Sequence, residues 1–170
     1  MKIDPERDLV IERLLMAPPS LVWRCWTEPD LFRQWYAPKP MQLTAVELEL
    51  RAGGRFFMEM TGPDGQRMPN EGSFLVVEPE SKIVFTDLMT QDFSPVEKVS
   101  DDFGPAFTAV ISFAPEGTGT RYRAVARHAS AREAKINLDM GFEQGWGIQA
   151  AQLEALLAKM EETDDRAIQP

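Results

Sequence analysis

The sequence predicts an α+β fold: a curved antiparallel β-sheet of about seven strands wrapped around one long C-terminal α-helix, with two short helices between strands 1 and 2. Three observations carry this. From Ser130 to Met160, the residues Phe142, Trp146, Ala150, Leu153, Leu157 and Met160 recur at steps of four and three, one apolar stripe at helical period. From residue 45 onward the pattern changes to a period of two, punctuated by turn signals at short intervals. Two proline clusters, at residues 17–20 and 37–40, bracket the short helical segments. An amphipathic helix is marginal alone in water, and a sheet wet on one face must bury the other. The two therefore cover each other, a ~20-residue helix spanning roughly 30 Å.

In order, Leu9, Val10, Ile11, Leu14 and Leu15 form a first strand. Ala17-Pro18-Pro19-Ser20 stops it and opens a helix, since proline is tolerated in a first turn. Leu21, Val22, Cys25 and Trp26 follow at helical spacing. Thr27 is expected to cap the second helix, with Pro29 early and Asp30 at the positive end of the dipole. Leu31, Phe32 and Trp35 give that helix its apolar side, and Ala37-Pro38-Lys39-Pro40 ends it.

Val46, Leu48 and Leu50 then alternate with Glu47 and Glu49. After Gly53-Gly54, Phe56, Met58 and Met60 oppose Arg55, Phe57 and Glu59. Gly62-Pro63-Asp64-Gly65 is a hairpin signal. Phe74, Val76 and Val77 mark the next strand, and Ile83, Phe85 and Asp87 alternate with Val84 and Thr86. The polar connection from about Thr90 to Pro105 is long and reads equally as a surface excursion or a lid. Phe107, Ala109, Ile111 and Phe113 alternate most clearly; beyond the Pro115–Gly119 turn, Tyr122, Ala124 and Ala126 face away from Arg121, Arg123 and Arg127. Ser130 and Glu133 have the spacing of a capping box, which opens the long helix. Gly141, Gly145 and Gly147 interrupt it at roughly 1 kcal/mol each. They serve either close backbone packing or the room a ligand needs beside Phe142 and Trp146.

The 170 residues suit one domain, with a core at about 8–160 and a flexible acidic tail at 161–170. Eighteen basic side chains against 27 acidic ones leave a net charge of −9, so neither nucleic acid nor an anionic membrane is an expected partner. The single cysteine, Cys25, rules out an intrachain disulfide and favours a cytoplasmic location; flanked by Trp23 and Trp26, it reads as a small buried thiol. No apolar run has the length of a signal peptide core or a membrane span. A homodimer is compatible with the sequence but not required by it.

One histidine and one cysteine, far apart, make no zinc cluster, and neither a metal nor a cofactor is expected. Nucleophile-elbow and phosphate-loop patterns are absent. His128 shares the parity of Tyr122, Ala124 and Ala126, which puts it at the rim of the interior. Glu71 and Asp87 would be acid–base candidates if buried in an apolar cavity; otherwise Arg55, Arg121 and Arg123 are their candidate partners. The apolar set is the stronger clue. Trp35, Phe56, Met58, Met60, Phe74, Phe85, Phe107, Ile111, His128, Phe142, Gly145 and Trp146 are the expected ligand-binding residues, although a filled core would use most of them equally well.

The order of elements and a series of short motifs resemble the START-like helix-grip (SRPBCC, Bet v-like) superfamily. The resemblance is to the bacterial group related to the C-terminal domain of the activator of heat-shock protein 90 ATPase. The motifs are Ala17-Pro18-Pro19 with Trp23 and Trp26-Thr27-Glu28-Pro29, Trp35-Tyr36-Ala37-Pro38-Lys39-Pro40, Arg51-Ala52-Gly53-Gly54-Arg55-Phe56, Gly62-Pro63-Asp64-Gly65, Pro69-Asn70-Glu71-Gly72, Val84-Phe85-Thr86-Asp87, and Met140-Gly141-Phe142-Glu143-Gln144-Gly145-Trp146-Gly147. They cover roughly residues 8–160. The resemblance implies a cavity between sheet and long helix that takes a small apolar or amphipathic molecule. It also leaves a polyketide cyclase-, aromatase- or hydrolase-like enzyme and a chaperone-activator-like interaction domain as alternatives.

Overall fold

Alternation in the sequence becomes alternation in burial. The computed structural model describes residues 1–96 and 104–168, with side chains described as far as Thr163. Its main sheet has seven antiparallel strands: β1 (Asp8–Leu15), β2 (Gln42–Leu48), β3 (Arg55–Thr61), β4 (Arg67–Glu78), β5 (Lys82–Thr86), β8 (Thr108–Glu116) and β9 (Gly119–Arg127). They lie in the order β1-β9-β8-β5-β4-β3-β2, so β1 and β2 are the edges. Two short strands, β6 (Met89–Thr90) and β7 (Ser94–Pro95), pair with each other across a 3-10 turn at Gln91–Phe93. They form the opening part of the long polar connection; residues 97–103 of it lie outside the described residues.

The inward positions are buried and the outward ones carry ion pairs. Phe56 and Met58 point in from β3, whereas Arg55 on the same strand points out, with its guanidinium 4.5 Å from the centre of the Phe57 ring. Ala109, Ile111 and Phe113 point in from β8, and Tyr122, Ala124 and Ala126 from β9. The strand expected to reach Leu50 stops at Leu48, and Leu50 is exposed.

Two helices, α1 (Pro19–Thr27) and α2 (Pro29–Trp35), close one end of the sheet, each with a proline in its first turn. The Thr27 cap is not formed. Glu28 is the N-cap residue, in extended conformation, while the Thr27 hydroxyl donates to the Trp23 carbonyl at 2.9 Å inside α1. A hydroxyl already satisfied within one helix cannot cap the next. The Trp35 indole N–H donates to the Cys25 carbonyl at 2.9 Å and pins the two helices together. Cys25 is fully buried, and burial pushes its thiol up to about 12, so it stays protonated as the sequence suggests.

The long C-terminal helix is two helices. Ser130 caps α3 (Ala131–Asp139), its hydroxyl accepting from the Glu133 amide at 3.2 Å, as the capping-box spacing predicts. The chain then turns at Met140-Gly141, where Gly141 has φ +96°, and restarts as α4 (Phe142–Ile168). A residue with a side chain is strained at that φ, so Gly141 is a helix terminator and does not share a helical face with Gly145. The stripe itself holds: Phe142, Ala150, Leu153 and Leu157 are buried, and Trp146 and Met160 pack half-buried beside them. The helical backbone of α4 continues into the acidic stretch that follows Met160.

Candidate functional site

Two apolar clusters fill the space between the sheet and the helices, and they differ in character. The larger lies under α1 and α2. Trp35, Phe56, Met58, Phe74, Phe85 and Ile111 all belong to it. Phe56 and Phe85 stack with ring centres 4.2 Å apart, and Phe74 meets Phe56 edge-on at 5.3 Å. Trp26 touches six further rings, among them Tyr36 at 5.8 Å and Tyr122 at 6.4 Å. Such ring contacts are those of a packed core. Met60 is half-buried, belongs to neither cluster, and pairs with Leu43 and Met68 on the flanking strands.

The smaller cluster lies at the other end, under the first turns of α4. It joins Ile11, Ala126, Phe142 and Ala150, with Leu9, Phe107 and Trp146 packed against it; Phe107 and Trp146 also pack against the larger cluster and bridge the two. Trp146 lies 4.7 Å from Phe142 and 5.9 Å from Phe107, between ring centres, and Phe107 lies 6.0 Å from His128. Five of the expected residues therefore converge here: Phe107, His128, Phe142, Gly145 and Trp146. Gly145 and Gly147 flank Trp146 in the chain, and a Cβ built on either would meet no described atom within 4 Å apart from its chain neighbours and the backbone of its own helix. Close backbone packing does not explain these two glycines. On these turns Phe142 and Ala150 are buried, while the two glycine positions face open space.

His128 is buried and fully engaged. Its Nδ1 lies 3.1 Å from the Arg7 carbonyl and its Nε2 lies 2.9 Å from the Asn137 side-chain amide nitrogen. A carbonyl only accepts, so Nδ1 carries the proton and Nε2 accepts from Asn137. The ring ties β9 to α3 and to the chain before β1, and no nitrogen is left over for a substrate.

The two carboxylates separate. Glu71 is on the outer face, where Arg55 donates to it at 2.8 Å and also bonds Glu47. Asp87 is buried, and its Oδ1 accepts from the Phe107 amide at 2.9 Å, so it positions the ring that faces Trp146. Arg121 pairs with Glu12 and Glu116, and Arg123 approaches Glu12. Of the three candidate arginines, Arg55 is the one that pairs with a weighed carboxylate. Among the described residues, no three His, Cys, Asp or Glu side chains converge as metal ligands.

Two glutamines of α4 that no sequence motif singles out hold the segment after α2. Gln152 on α4 donates to the Trp35 carbonyl at 2.6 Å and to the Ala37 carbonyl at 2.8 Å, and accepts from the Lys39 amide at 3.1 Å. Gln149, one turn earlier, donates to the Tyr36 carbonyl at 2.5 Å. Together they strap the segment after α2 onto the helix. Only their position on one side of α4 three residues apart hints at this, because their partners are backbone carbonyls, whose placement no side-chain pattern encodes.

Residues 16–158 match the family model described as Activator of Hsp90 ATPase homolog 1-like protein. Among solved structures, protein NE0264 from Nitrosomonas europaea is 39% identical over 94% of this chain and 99% of its own, with a TM-score of 0.87. Protein Ms6760 from Mycobacterium smegmatis is 30% identical over 92% of this chain and 94% of its own, with a TM-score of 0.74. A protein from Arthrobacter aurescens, 23% identical with a TM-score of 0.75 over 93% of this chain and 90% of its own, shares the fold. No functionally curated protein matches. No described helix is long and apolar enough to cross a membrane.

Proposed function

Because the chain belongs to the Activator of Hsp90 ATPase homolog 1-like family, whose fold supports a ligand-binding or activator-like domain, we propose that it binds a small apolar or amphipathic molecule between the sheet and the first turns of α4. The observation that carries this reading is the bare stretch at Gly145 and Gly147 on either side of Trp146. Each glycine costs a helix interior about 1 kcal/mol relative to alanine. No described neighbour occupies the space that a side chain would fill, so the cost is not offset by packing. Phe107, Phe142 and Trp146 supply apolar walls, and His128 and Asp87 hold those walls in place without offering a free acid or base. A binder therefore accounts for the geometry with fewer requirements than an enzyme. The reduced, buried Cys25 supports a cytoplasmic site of action.

Native mass spectrometry of the protein taken from its own cells tests the proposal. The expected result is an added mass that disappears on denaturation and is absent from Gly145→Leu. Because the new side chain enters open space, that variant should remain folded, and circular dichroism verifies this. A bare wild-type protein, or a Gly145→Leu variant that retains the added mass, refutes the reading.

A further inference from the structure

A cleft of about 520 Å³ opens where the end of α2, the segment after it and the first residues of β2 meet Gln152 of α4. Its size is that of a small-molecule site. Ala37, Pro40, Met41 and Leu43 give it an apolar floor, with Ala37 buried and Met41 and Leu43 half-buried. Gln152 fixes that floor through its bonds to the Trp35 and Ala37 carbonyls and to the Lys39 amide.

Two cations also line the cleft, Arg33 and Lys39, both exposed. Neither side chain has an ion pair or a hydrogen bond to a described residue. That stands out in a chain where 27 acidic side chains meet 18 basic ones. Arg51, Arg55, Arg67, Arg121 and Arg127 each pair with a carboxylate. The lining of this cleft contains no Asp or Glu, whereas the cleft beside Leu14 and Met16 includes Glu154 and Glu161, and the one at the N-terminal segment includes Asp4. An anion that enters here meets two unpaired positive charges and no carboxylate on the walls. A polyanion would also meet the rest of a surface with net charge −9, while one small anion meets only the cleft.

We infer that this cleft is a second binding site, for a small amphipathic anion: a carboxylate or phosphate head held by Arg33 and Lys39, with a short apolar tail along Met41 and Leu43. It shares no residue with the cluster around Phe142 and Trp146, so it goes beyond the interior-ligand reading and does not rest on it. A guanidinium meets either head through two parallel N–H donors, and an ammonium adds a point charge. A bare inorganic anion would leave the apolar floor wet, and a neutral apolar molecule would leave both cations without a partner. An amphiphile answers both features. In sequence, Ala37-Pro38-Lys39-Pro40 reads only as the end of α2, because the cleft is completed by a side chain more than a hundred residues away.

The test titrates the full chain with hexanoate, hexyl phosphate, 1-hexanol and acetate. Methionine-methyl ¹H–¹³C spectra report the cleft, with Met41→Leu assigning the Met41 signal, and indole ¹H–¹⁵N spectra report Trp146. The expected result is that hexanoate or hexyl phosphate moves the Met41 methyl, and the tighter of the two names the head. 1-Hexanol, which lacks the charge, and acetate, which lacks the tail, should each bind roughly tenfold more weakly or worse. Affinity for the anion should fall as salt rises. Arg33→Gln and Lys39→Gln change exposed side chains and should stay folded by circular dichroism. Each is expected to weaken the anion about tenfold and to leave 1-hexanol unchanged. Equal affinity for hexanoate and 1-hexanol overturns the inference, as does anion binding that survives both substitutions together. Acetate binding as tightly as hexanoate also overturns it, because the apolar floor then contributes nothing. A probe that moves Trp146 and not Met41 has entered the interior: this inference falls and the interior reading stands.

Discussion

Gln152 shows how much one side chain decides in this fold. Its amide satisfies two carbonyls and one N–H of the segment that follows α2, and its stem sits half-buried between α4 and that segment. Gln152→Leu keeps the volume and removes all three bonds, leaving the carbonyl of the buried Trp35 without this donor. The expected loss is about 2–3 kcal/mol, read from urea denaturation, since each net hydrogen bond contributes roughly 0.5–1.5 kcal/mol. Gln152→Glu should cost more than Leu, because a carboxylate would face two carbonyl oxygens. Nothing in the sequence marks Gln152 as more than a solvated residue beside an apolar stripe. The stripe was legible from spacing alone; the strap was not, because it joins a side chain to backbone over a hundred residues away.

The glycines of the C-terminal helices separate at the level of the element. In sequence, Gly141 and Gly145 look alike, as interruptions four residues apart. In the fold, Gly141 ends α3 at φ +96°, whereas Gly145 lies inside α4 beside open space. Their alanine variants should therefore move stability in opposite directions. Gly141→Ala is expected to cost about 1 kcal/mol or more, since an L-residue is strained at that φ. Gly145→Ala is expected to gain up to ~1 kcal/mol from helix propensity, with no clash to offset it. Thermal unfolding of the two variants against wild type checks the signs, and a loss at Gly145 would mean that something packs on its bare face. The capping box at Ser130 and the stripe from Phe142 were both readable, yet a single glycine in a helical pattern signals a tolerated interruption or a terminator equally well. Backbone φ decides between them, and composition does not report φ. The Thr27 cap failed for a related reason: with Glu28 next to it, two residues compete for one cap position, and the hydroxyl of Thr27 turns back into its own helix.

Across the whole molecule, the sheet grips a helix that buries Leu153 and Leu157 in the larger cluster and leaves open space beside Gly145 and Gly147 in its first turns. The seven strands, their alternation and the order of elements were legible because each follows from local period and turn chemistry. The asymmetry was not, because one list of aromatic and methionine residues serves both a core and a cavity wall, and only placement sorts them. Phe56, Phe74 and Phe85 belong to the larger cluster, Phe142 belongs to the smaller one, and Phe107 and Trp146 pack against both. The distinction can be measured with matched truncations. Phe85→Leu removes a buried ring that is stacked on Phe56 and should cost roughly 2–4 kcal/mol, as large-to-small core changes do. Trp146→Leu removes a larger but half-buried ring and should cost less, despite the greater loss of volume, because a void there opens onto space that is already accessible. Denaturant midpoints order the two variants. The reverse order would mean that Trp146 is a core residue, and the bare glycines beside it would lose their connection to a ligand.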